Sequence, residues 1–214
     1  MAAAVKPSPR VSYRQQQALA TRERIARSAR RLFGEHGYAA TSVEVIAADA
    51  GVAPRTVYAA FANKKNILAA VCETWLEESG VKEVFAEGMD AASPEARIAK
   101  IAEAARRQWE VGTDVLAIIQ GAAAADADIE RMLLGWSAAR QDAVRRIIAG
   151  IGPGLAAGVT LKTALELATA LGTPAVYLEL KRAGWSASRY QAWLTVTLEQ
   201  QLLGKRPRNR RVGK

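Results

Sequence analysis

This sequence predicts an all-α fold of about nine helices, opening with a three-helix unit of helix-turn-helix type. Two observations carry the prediction. Apolar residues recur at the i, i+3, i+4, i+7 spacing of one-sided helices, as in Val43, Ile46, Ala47 and Ala50, or Tyr190, Trp193, Leu194 and Thr197. Breakers and caps fall between such stretches: Gly37, Gly51, Ser93-Pro94, Gly150 to Gly158 and Ser186.

Composition narrows the class. A chain of 214 residues, half of them apolar, has enough material for one sizeable core or two small ones, so a soluble globular protein is expected. No apolar run approaches the roughly 18 residues that a membrane span needs. The opening stretch MAAAVKPSPRVSYRQQQ lacks an apolar core and carries Pro7 and Pro9, so it does not read as a secretory signal; the expected location is the cytoplasm. The formal charge of +9 is unevenly spread: residues 1–70 hold a net +7, residues 71–204 a net −4 and residues 205–214 a net +6. Positive charge gathered on the N-terminal unit and the tail, with a mildly acidic middle, is the footprint of a phosphate-bearing partner, and solvated Arg-rich faces alone would not produce it. One histidine and one cysteine do not make a metal site. Cys72, in helical register with Leu68, Val71 and Trp75, reads as a small core hydrophobe. No Ser/His/Asp set, Cys/His pair or phosphate loop suggests an enzyme, and no cofactor is expected. The glycines between Gly150 and Gly158 follow no strand and precede no Lys-Ser/Thr, so they read as a plain loop.

Residues 1–17 read as a flexible basic arm, with Lys6, Arg10 and Arg14 near its polar glutamines. The first helix is expected from near Gln17 or Thr21 to Glu35, with Ile25, Ala29, Leu32 and Phe33 inward, and His36 beside its end. A helix capped by Thr41 or Ser42 follows, then Gly51, then a short helix from Pro54 to Phe61. Val57 and Phe61 point inward in that helix and Arg55, Thr56 and Tyr58 outward. Two short helices joined by a glycine turn make a helix-turn-helix, whose second helix fits the B-DNA major groove. Thr41, Ser42, Asn63 and Lys64 lie at helix N-termini, where orphan N–H groups suit a DNA phosphate; at the Asn63 cap plain capping is the alternative. The unit is expected to span residues 18–66, followed by a second helical domain over 67–204 and a disordered basic tail over 205–214.

At these residues the chain resembles the TetR-like (tetracycline-repressor-like) transcriptional regulators. The resemblance rests on Gly37-Tyr38, Thr41, Ile46-Ala47 with Ala50-Gly51-Val52, and Thr56, Tyr58, Phe61, Asn63 and Lys64 in order over about fifty residues. It implies a DNA-binding head whose contacts come from Thr41, Ser42, Arg55, Thr56, Tyr58, Asn63 and Lys64. The chain departs from the family at Arg55, where a small residue is common, and at Ala59 and Ala60, where an aromatic and a His are common. Two phosphate donors are thereby lost, and Arg55 is left to grip a phosphate or read a guanine edge.

The second domain is predicted as a helix from Asn63 through Leu76, a weak stretch from Gly80 to Ser93, and a helix from Pro94 that stops near Gly112. Further helices carry Val115 to Ala122, Ile129 to Ile147, Thr160 to Arg182 with a kink or break near Gly172-Thr173, and Ser186 to Leu202. The resemblance implies that the last two helices pair with a second copy, through Leu161, Leu165, Tyr190, Trp193, Leu194, Thr197 and Leu198; burial within the monomer is the alternative. It also implies a cavity within the second domain. Trp75, Trp109 and Trp136 would form its wall and Gln108 and Gln120 its polar anchors, unless the tryptophans are ordinary core. The expected function is a ligand-responsive regulator, most simply a repressor, that binds a palindromic double-stranded DNA operator as a homodimer and is released by a small apolar or aromatic effector. The rival is a helical architectural DNA-binding protein with no ligand.

Overall fold

The computed structural model describes residues 12–204, and the expected tail and the first eleven residues of the arm lie outside that range. The described residues form ten α-helices, and they divide into two compact units that part between Thr74 and Trp75, inside the fourth helix. The sequence boundary at 66–67 falls at the start of that helix instead.

The first unit holds α1 (Tyr13–His36), α2 (Val43–Asp49), α3 (Pro54–Phe61) and the first turns of α4 (Lys64–Ser79). α1 begins earlier than expected, so residues 13–17 are helix and not arm. The cause is a capping box: Ser12 Oγ accepts from Gln15 N at 3.3 Å, and Ser12 N donates to Gln15 Oε1 at 2.8 Å. The unit's core is the one the spacing predicts, with Ile25, Ala29, Phe33, Ile46, Val57, Phe61, Leu68 and Cys72 all buried. Gly51, between α2 and α3, has φ +63°, in the left-handed region that favours glycine. Between α3 and α4 the chain reverses through a γ-turn, Asn63 N donating to Phe61 O at 2.6 Å around Ala62 at φ +58°. Ala62 is the one described non-glycine residue with positive φ, so this turn holds backbone strain.

The second unit begins at Trp75 and contains α5 (Val81–Asp90), α6 (Pro94–Ala123), α7 (Ala127–Ala149), a 3-10 turn (Gly152–Gly154), α8 (Leu161–Leu171), α9 (Pro174–Arg182) and α10 (Ala187–Leu203). α6 is the centre of this unit and packs against α5, α7, α9 and α10. Two expectations are corrected here, and a third is narrowed to one of its alternatives. The weak stretch after Gly80 is a helix. Its Gly88 is no breaker, because a Cβ there would lie 2.7 Å from Ile147 Cδ1, so helix packing demands the glycine. The two helices expected on either side of Gly112 are one continuous α6. Gly112 is buried within it, and the Trp75 indole occupies the space a Cβ would take. The helix from Thr160 to Arg182 breaks completely, as the Gly172-Thr173-Pro174 sequence allows: Thr173 Oγ1 accepts from Val176 N at 3.4 Å and Pro174 opens α9. Since Pro174 has no N–H and Val176 N is turned to the cap, the Gly172 carbonyl is available to side chains.

Candidate nucleic-acid interface and ligand cavity

α3 presents Arg55 and Tyr58 outward, Tyr58 at 47% exposure, with Thr56 half-buried beside them. Pro54 sets the first turn and Val57 and Phe61 anchor the opposite face, so the outward direction is fixed by burial. The Tyr58 hydroxyl donates to Glu44 Oε1 at 3.4 Å across the α2–α3 angle. Glu44 is held below the usual carboxylate range, mainly by a backbone N–H and then by Ser42, with Tyr58 adding to them. Ser42 caps α2, its Oγ accepting from Val45 N at 3.2 Å, and Asn63 caps α4, its Oδ1 accepting from Asn66 N at 2.9 Å. Both stay exposed.

Two predicted contact residues have other tasks. Thr41 is buried, and its hydroxyl donates to Gly37 O at 2.8 Å, so it holds the end of α1 and offers nothing to a phosphate. Lys64 Nζ donates to Tyr38 O at 2.8 Å, Thr41 O at 3.0 Å and Ala39 O at 3.3 Å, and sits 4.4 Å from the Tyr38 ring centre. An ammonium has three protons, and here carbonyls of the α1–α2 turn take them. Partial burial lowers its pKa. Arg22, expected with the other arginines of the first helix to face mostly outward, lies 4.2 Å from the Phe61 ring centre and donates to Ala60 O, pinning α3 to α1. Its distance of 38 residues from Ala60 leaves no local signal.

Within the second unit lies a cavity of about 550 Å³, lined by all five residues expected there: Trp75, Gln108, Trp109, Gln120 and Trp136. Phe85, Leu116 and Ile119 add to its apolar wall. Trp75 and Trp109 are both core and wall, whereas Trp136 is half-buried. Trp75 and Trp109 are each 4% exposed, with ring centres 6.1 Å apart and planes tilted by 34°. Their N–H groups are spent internally: Trp75 Nε1 donates to Gln108 O and Trp109 Nε1 to Gly172 O, each at 2.9 Å. Arg140, which sequence reading passed over, also lines the cavity. It donates from one terminal nitrogen to Gly172 O at 2.8 Å, and its guanidinium carbon lies 5.3 Å from the Trp109 ring centre. Arg140 follows Trp136 by one helical turn and shares its face, but that spacing alone does not mark a buried arginine.

The residues expected to face a second copy divide. Tyr190, Leu194 and Leu198 are buried within the monomer, at 1% exposure or less, on the side of α10 turned to the core. They are corrected from interface to core. Leu161 is exposed, and Leu165, Trp193 and Thr197 are half-buried; Val196, one turn on from Trp193, is 49% exposed. Trp193 stacks edge-on against Trp185, ring centres 6.1 Å apart. Cys72 is wholly buried, and burial pushes its thiol pKa up. Among the described residues no cluster has the makings of a metal site, and no helix is long and apolar enough to cross a membrane.

Residues 25–71 match the bacterial regulatory proteins of the tetR family. The described residues have a TetR-like fold. The chain is similar to the TetR-family transcriptional regulator PfmR from Thermus thermophilus, with a TM-score of 0.63, 20% identity, and 87% of this chain and 97% of that chain covered. It is similar to SmeT in its triclosan complex, with a TM-score of 0.69, 23% identity, and coverage of 86% and 92%. It is also similar to NalD, the secondary repressor of the MexAB-OprM multidrug efflux pump in Pseudomonas aeruginosa, with a TM-score of 0.65, 20% identity, and coverage of 87% and 98%. No curated protein matches the chain in sequence.

Proposed function

We propose that this chain is a ligand-responsive transcriptional regulator acting in the cytoplasm as a repressor. A homodimer binds a palindromic operator through two copies of α3, and a small molecule in the cavity shifts the population toward a form that does not dock both. The observation that carries this reading is the pairing, in one chain, of the outward Arg55 and Tyr58 on α3 with a cavity of about 550 Å³ walled by three tryptophans. An architectural DNA-binding protein has no need of such a cavity. SmeT, a protein of the same fold, forms a complex with triclosan, which supports a small-molecule effector for this chain. α4 is the route between the two functions, since it begins at the Asn63 cap and carries Trp75 into the cavity wall.

A two-fold partner is what a helix-turn-helix needs to reach two half-sites, and Leu161, Leu165, Trp193, Val196 and Thr197 remain to meet it. Sedimentation of the chain with an inverted-repeat duplex selected from random sequence should give two copies per duplex. Trp193→Glu and Val196→Glu, on the outer face of α10, should give folded monomers. Leu198→Glu places a charge at a position with 0% exposure and should unfold the unit instead. One copy per duplex, or an unaltered dimer in a Trp193→Glu/Val196→Glu chain, would overturn the proposed assembly.

A further inference from the structure

The cavity that receives the effector is apolar over most of its wall, yet its charged lining is of one sign. Arg140 and Lys82 line it, and no aspartate or glutamate does. Lys82 is exposed to solvent, whereas Arg140 is half-buried, with its Nε buried and its guanidinium against the Trp109 ring. Arg140 has a single hydrogen bond, to the neutral Gly172 carbonyl; its Nε has no partner, and no carboxylate pairs with it among the described residues. Burial is the largest influence on this guanidinium and pulls its pKa down, but a guanidinium keeps its proton under all ordinary conditions. A desolvated cation without a counter-ion is costly, and side chains of this kind are rarely left so in a core without use. Two further groups nearby are unsatisfied: Gln108 Oε1, in the cavity wall, and the hydroxyl of Tyr190, buried and close enough to Arg140 to feel its charge.

We infer that the effector is an aromatic or apolar acid, whose anionic group (carboxylate, sulfonate or phenolate) pairs with Arg140 while its ring lies against Trp75, Trp109 and Trp136. The inference rests on the cavity being the effector site and adds the charge of the ligand to that reading. The break between α8 and α9 does the positioning. The Gly172 carbonyl freed there by Pro174 holds one guanidinium N–H and leaves the remaining donors of the fork to a planar anion. Trp109 Nε1 shares that carbonyl at 2.9 Å, so the wall and the charge are fixed by one acceptor. Gln108 Oε1 would then accept from any hydroxyl or amine on the ligand's ring, which makes it the secondary anchor and Arg140 the primary one.

The test uses two probes that share one ring frame, 8-anilinonaphthalene-1-sulfonate and the neutral N-phenyl-1-naphthylamine. Each is titrated into the full chain without DNA, with binding read from quenching of tryptophan emission and from probe fluorescence. The sulfonate should bind wild type at least about tenfold more tightly than the neutral probe, the range expected for a charge-assisted hydrogen bond. Arg140→Met should erase that preference while leaving the affinity for the neutral probe intact, and Arg140→Lys should retain part of it. The neutral probe also reports that the variant cavity is formed; should Arg140→Met lose it, Arg140→Gln decides by the same criteria. Equal affinities in wild type, or a preference that survives removal of the arginine, would overturn the acid proposal alone. Failure of wild type to take either probe would overturn it together with the reading of the cavity as a ligand site.

Discussion

Arg55→Ala and Tyr58→Ala should each abolish most of the chain's affinity for its operator while leaving its fold intact. Both side chains are exposed on α3, and neither contributes to the core that Val57 and Phe61 form. A lost base contact or charged phosphate contact typically costs about 1 to 3 kcal/mol, and a dimer loses it twice, so about 2 to 6 kcal/mol is expected per variant. Neutralised phosphates should also make wild-type binding fall by roughly a thousandfold between 50 and 200 mM salt if six or more are engaged. Lys64→Ala should behave differently, lowering the melting temperature of the head, because its ammonium braces Tyr38 and Thr41 carbonyls. Fluorescence anisotropy of labelled operator at fixed salt measures the first effect and thermal unfolding the second. Unchanged affinity in both Arg55→Ala and Tyr58→Ala would place the docking surface elsewhere.

The second large effect is on stability, and it has opposite signs at two helical glycines. Gly112→Ala forces a methyl group into the volume of the Trp75 indole, displacing a ring whose N–H is bonded to Gln108 O. Overpacking costs about 1 to 3 kcal/mol, and an orphaned buried donor about 1 to 3 more, against roughly 1 kcal/mol gained in helix propensity. The expected net is a loss of about 3 kcal/mol, with a damaged cavity wall. Gly135→Ala, in the middle of α7 with nothing within 4 Å of the new methyl, should gain up to about 1 kcal/mol. Urea unfolding of the two variants beside wild type decides it, and a Gly112→Ala chain as stable as wild type would contradict the packing described.

The same glycines explain where the sequence was readable. In the head, turns are marked by residues whose chemistry admits one local structure: Gly51 in the left-handed region, Ser42 and Asn63 as caps, Pro54 at a first turn. Helix order and the outward set on α3 therefore followed from local signals. In the second unit, Gly88 and Gly112 look like breakers but are glycines because a neighbouring helix or ring comes too close, a fact that lives only in tertiary contacts. Periodicity likewise could not divide α10. Tyr190, Leu194 and Leu198 share its apolar repeat with Trp193 and Thr197, yet only packing against the rest of the unit shows which stripe is already covered. The tryptophans were legible as large aromatics on inner stripes, and the family resemblance, not the spacing, implied a cavity among them. Arg140 was not legible, because a lone arginine on a helix is ordinarily solvated and its burial depends on the distant break at Gly172.

Coupling between cavity and head is tested directly by linkage. A cavity-filling aromatic probe is titrated into the complex of the chain with fluorescent operator, following tryptophan emission and DNA anisotropy together. Saturation of the cavity should weaken operator binding by about 5- to 150-fold, the range of ordinary allosteric coupling, and operator should weaken probe binding by the same factor. A probe that fills the cavity, changes the tryptophan emission and leaves operator affinity unaltered would contradict the account.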